Sequence, residues 1–92
     1  MAKPKKVDIR TDVVRIISTF TTLDPAIIKD SHILRNPPLL IDTPGLAFLA
    51  ASLRGYVKQY DREATVTAKE MRSSGLDVSG AVKLIQKKVG AV

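Results

Sequence analysis

Apolar residues recur at helical spacing in four separate stretches of this chain. Val13, Ile17 and Phe20 stand at i, i+4 and i+7, with Val14 and Ile16 beside them, a period that puts them on one face of a helix. Thr11 or Asp12 is placed to cap it, so the spacing predicts a first helix from there to about Phe20. Leu46, Leu49, Ala50, Leu53, Val57 and Tyr60 form the longest stripe and predict a second helix from Pro44 to about Tyr60. Thr67-Ala68-Lys69-Glu70 has capping-box spacing and predicts a short third helix, which Gly75 stops after about Ser74. Val78, Ala81, Val82, Ile85 and Val89 predict a fourth helix, capped by Asp77 and ended by Gly90.

Between the first two helices lies a long connection, Leu23 to Asp42. Asp24-Pro25 stops the first helix, because the residue before proline is pushed out of the helical region. Connections this long are uncommon unless they pack through their own side chains or carry function. This one has anchors to pack: Leu23, Ile27, Ile28, Ile33, Leu34, Leu39, Leu40 and Ile41, interrupted by Pro37-Pro38. The expected fold is therefore all-α, a small four-helix bundle with a long first loop and a short third helix. Residues 1–10 read as a basic, disordered tail and residues 11–90 as the helical domain.

Ninety-two residues make one small domain. The absence of cysteine excludes disulfides and thiolate metal sites. His32 is the only histidine and the nine carboxylates are scattered, which argues against a metal cluster and against acid–base catalysis. No apolar run approaches the roughly 18–20 residues that span a bilayer, and no signal-peptide core follows the basic start, so a cytoplasmic, monomeric protein is expected. Fifteen Lys and Arg against nine Asp and Glu give a net charge of +6. That excess bears on partners rather than fold. Beyond Lys3, Lys5 and Lys6 the cations are dispersed along the chain, the pattern of a solvated exterior.

The segment Leu40-Ile41-Asp42-Thr43-Pro44-Gly45-Leu46 carries the most specific chemistry. Proline favours the first helical position and a hydroxyl favours the cap before it, so Thr43 reads as the N-cap, Pro44 as the helix opening and Asp42 as an acid just outside.

An acidic–hydroxyl pair entering the second of four helices resembles the acyl carrier protein family, and the resemblance runs from about Val13 to Val89. Thr22-Leu23-Asp24-Pro25-Ala26-Ile27-Ile28 with Lys29-Asp30-Ser31-His32-Ile33-Leu34 reads like the end of that family's first helix and its first loop. Ile41-Asp42-Thr43-Pro44-Gly45-Leu46 sits where the family has its Asp-Ser-Leu attachment motif, and Ser79-Gly80-Ala81-Val82-Lys83-Leu84-Ile85 looks like its last helix. The resemblance implies a non-enzymatic domain of the kind used in fatty acid or polyketide biosynthesis. It would shelter an acyl chain on a 4′-phosphopantetheine arm and present it to partner enzymes. It also implies Thr43 as the attachment position beside Asp42, and Leu46, Leu49, Leu53, Val82 and Ile85 as the lining of an acyl cleft.

Two departures count against a loaded carrier. Thr43 replaces the family's serine and Pro44 its leucine, so the attacking hydroxyl is secondary and the backbone beside it is rigid. Arg54 and Lys58 stand on the second helix where the family presents acids, so either its partners are acidic and dedicated, docking there, or it does not serve the usual carrier enzymes. The expectation is a carrier-fold module without the arm. A small basic adaptor for nucleic acid or another acidic partner is the alternative. It lacks support because Phe20, Phe48, Tyr56 and Tyr60 are not interleaved with basic residues as stacking platforms would be. Ser31-His32 reads as loop structure, Ser52 as a packing residue, and Tyr56 with Tyr60 as an i, i+4 pair.

Overall fold

Ile9 extends the first apolar stripe one turn toward the N-terminus, and the helix begins there too. The computed structural model describes residues 3–92, and in it α1 spans Lys6–Ser18. It buries Ile9, Val13, Val14 and Ile17. The expected start at Thr11 or Asp12 is thus corrected. No side chain caps α1; the Thr11 hydroxyl instead donates back to the Val7 carbonyl at 3.1 Å. Of the expected ten-residue tail, Met1 and Ala2 lie outside the described residues, while residues 6–10 are helical. The first turn is held by the far end of the chain: the Lys6 N–H donates to the Val92 carbonyl at 3.0 Å, and the Gln86 amide donates to the Lys6 carbonyl at 2.9 Å.

The connection from Thr19 to Asp42 contains a 3₁₀ turn, Pro25–Ile27, capped by the Asp24 carboxylate, which accepts from the Ala26 N–H at 2.8 Å. Ile28, Leu34, Leu39 and Ile41 are buried and fix it to the bundle. Ile27 and Leu40, also expected as anchors, are exposed at 55% and 64%. An isolated antiparallel bridge joins Ile33 to Asp77, and the Val78 N–H donates to the His32 carbonyl, so the loop is laced to the start of the last helix.

Helix α2 spans Thr43–Val57, α3 spans Ala68–Met71 and α4 spans Val78–Lys88. Thr67 and Glu70 form the predicted capping box at α3. The Thr67 N–H holds the Glu70 carboxyl below its ordinary range, helped by Lys88, whose ammonium lies 3.0 Å away and ties α3 to α4. Asp77 caps α4 as predicted, and Gly90, at φ +66, follows it in a conformation L side chains rarely adopt. Among the described residues the fold is all-helical, with no strand. α1 packs mainly on α4 and α2 mainly on α3, while α2 meets α4 only lightly. The four apolar faces share one core, to which Val66 and Met71 are added, and every buried side-chain polar atom among the described residues has a hydrogen-bond partner.

Candidate functional site: the mouth of the second helix

Asp42, not Thr43, caps α2. The Asp42 backbone is extended, its Oδ1 accepts from the Gly45 N–H at 2.8 Å, and its carbonyl accepts from the Leu46 N–H at 2.8 Å. The expected Thr43 cap is therefore corrected. A carboxylate at this point is both a cap and a negative charge at the positive end of the helix dipole, so it outcompetes a neighbouring hydroxyl. Gly45 makes the closure possible. A Cβ there would lie 2.9 Å from Asp42 Oδ1 and 3.0 Å from Ile41 Cγ2. Helix α4 opens with the same device: Asp77 Oδ1 accepts from the Gly80 N–H at 2.7 Å, and a Cβ on Gly80 would meet Asp77 Oδ1 at 3.2 Å.

Thr43 thereby becomes the first residue of α2. It is exposed, and among the described residues its hydroxyl has no hydrogen-bond partner. Pro44 follows and has no N–H, and the Gly45 donor is already engaged with Asp42. The N–H groups of Asp42 and Thr43 are the donors left at this helix mouth, so a phosphodiester here would find two of the usual four. For a 4′-phosphopantetheine arm, then, the hydroxyl is accessible while the helix mouth beneath it is partly engaged by Asp42.

The five expected cleft residues are core residues. Leu46, Leu49, Leu53 and Ile85 are fully buried and Val82 is 4% exposed, all in the single core cluster. They belong to one core that α2 and α4 both face. The two expected docking cations differ in kind. Arg54 is exposed in the last turn of α2 and is the helix's only charged residue. Lys58 is committed internally: its ammonium donates to the Arg62 carbonyl at 3.2 Å and the Ala64 carbonyl at 2.9 Å, clamping the loop that follows α2.

Two features of this region were not singled out from the sequence. Phe48 stands on the outward side of α2 with 66% of its surface exposed, flanked by exposed Ala47, Ala51 and Ser52. Its mismatch with the core stripe was the available signal, since position 48 falls between Leu46 and Leu49. Leu40, two residues before Asp42, holds a positive φ of 49°, a strained state for a bulky side chain. At the other end of α2, the Tyr56 hydroxyl donates to Asp12 Oδ2 at 2.6 Å and fixes α2 to α1. Burial, and then that hydrogen bond, push the Tyr56 phenol well above its ordinary range. Tyr60 packs edge-on against Tyr56, with ring centroids 5.5 Å apart.

No protein-family model matches this sequence, and neither a curated protein nor a solved structure does.

Proposed function

We propose that this chain is a carrier-type module of the acyl carrier protein kind, without catalytic activity, that binds or presents an acyl group to partner proteins and leaves Thr43 unmodified. The order of its elements supports the reading: a first helix, a long packed connection, a second helix opened by Asp42-Thr43, a very short third and an amphipathic fourth. The observation that carries the unmodified state is the Asp42 cap. It takes the Gly45 N–H, and with Pro44 lacking a donor it leaves two of the usual four N–H groups at the mouth of α2 to hold a phosphodiester. The secondary hydroxyl of Thr43 and the rigid Pro44 add a steric obstacle to in-line attack on a pyrophosphate.

A second reading, a working carrier loaded at Thr43, is favoured by one specific observation. The Thr43 hydroxyl is exposed and is not used as a cap, so it is spare for chemistry. An arm would add a flexible thiol for thioester formation, with Asp42 and Gly45 holding the backbone beside it.

In either state an acyl chain would enter between α2 and α4, displacing Leu46, Leu49, Leu53, Val82 and Ile85 from the core they share. Titration of ¹⁵N-labelled protein with decanoic acid tests this. Shifts concentrated on those five residues are expected, and a spectrum unchanged there would remove acyl binding from the account.

A further inference from the structure

The lysines that look dispersed in the sequence do not stay so. Lys3, just before α1, and Lys6, its first residue, line a groove of about 690 Å³ together with Lys83 and Lys87 of α4. Gly90, Ala91 and Val92 supply much of the remaining lining, so cationic side chains flank a largely apolar stretch. A second recess of about 170 Å³ shares Lys83 and Gln86 with it and adds Arg10 and Asp30. Asp30 is the only acidic side chain lining either space, and Arg10 already holds it at 2.6 Å. None of the four lysines forms an ion pair among the described residues.

We propose that this groove docks an acidic segment of a partner protein, taken up as an extended chain with carboxylates on alternate residues. Charge complementarity identifies the occupant. Lys83 and Lys87 are four apart on one helix, about 5–6 Å between Cβ atoms, and alternate side chains of an extended peptide recur about every 6.6 Å. The apolar lining suits the intervening small residues. Nucleic acid is the weaker match, since the groove has neither a free arginine fork nor an aromatic ring on which a base could stack. The groove is also a better docking surface than α2, where Lys58 is tied internally and Arg54 stands alone. The inference goes beyond the carrier reading and is independent of the state of Thr43, so the two fail by different measurements.

The test is a titration of ¹⁵N-labelled protein with a synthetic peptide of about six Glu-Ala repeats, whose alternation matches the spacing above. Shifts are expected at Lys6, Lys83, Lys87 and Gly90, fading as salt shortens the Debye length from about 10 Å to about 3 Å. Lys83→Gln with Lys87→Gln should weaken binding about tenfold, while Arg54→Gln should leave it unchanged. Absence of shifts in the groove of the wild-type protein overturns the proposal without recourse to any variant. Tighter binding of a thymidine oligonucleotide of matched charge overturns it as well, in favour of nucleic acid.

Discussion

The carboxylate of Asp42 closes on the backbone N–H of Gly45 at 2.8 Å, at a distance that a β-carbon on Gly45 would obstruct. The pair acts as a unit, and Thr43 stands outside it. Asp42→Ala should therefore cost about 1 kcal/mol of stability, the usual loss for a helix cap. Thr43→Ala should fall within about 0.5 kcal/mol of wild type, as at an ordinary surface position. Gly45→Ala should destabilise the wild-type protein yet cost less in the Asp42→Ala background, because the obstructed oxygen is gone. Urea denaturation of the four proteins in that cycle gives the coupling directly.

Tyr56 and Asp12 join α2 to α1 through one short hydrogen bond of 2.6 Å. Tyr56→Phe should cost about 1.5 kcal/mol, the lower end for a hydrogen bond to a charged group, since the site is only partly buried. The phenol is raised by burial first and by Asp12 second, so the folded state holds its proton more tightly than the unfolded state. The associated stability is complete below the ordinary tyrosine value of about 10 and is lost as pH rises above it. Thermal unfolding followed between neutral and strongly alkaline pH should show that loss in the wild type and a smaller one in Tyr56→Phe.

Arg54 and Lys58 predict opposite outcomes although both are exposed cations on neighbouring turns. Lys58→Ala removes two hydrogen bonds to the Arg62 and Ala64 carbonyls and should destabilise the domain by about 1 kcal/mol. Arg54→Ala should leave stability within about 0.5 kcal/mol of wild type. Equal effects in chemical denaturation would show that the Lys58 clamp does not operate in solution.

Local signals were the legible ones. The Thr67–Glu70 capping box and the Asp77 cap are written within four residues of sequence, and both form as read. The same Asp-x-x-Gly spacing at Asp42 and Gly45 was present but obscured by the more conspicuous Thr43-Pro44. The start of α1 was legible in part, since Ile9 stands four residues before Val13. The basic residues around it hid that turn, and the partners that hold it, Val92 and Gln86, lie some eighty positions away. Lys58 likewise read as a free docking cation because the loop that returns to it leaves no periodic mark. The core stripes identified Leu46, Leu49, Leu53, Val82 and Ile85 correctly as buried; periodicity could not distinguish a closed seam from an open cleft.

The chemical state of Thr43 separates an unmodified module from a loaded carrier, and an intact-mass measurement on protein purified from its native host reads it directly. The Asp42-capped, proline-stiffened helix mouth predicts the mass of the unmodified polypeptide. A mass increased by one phosphopantetheine arm, mapped to Thr43 by peptide fragmentation, would contradict that and make the chain a loaded carrier.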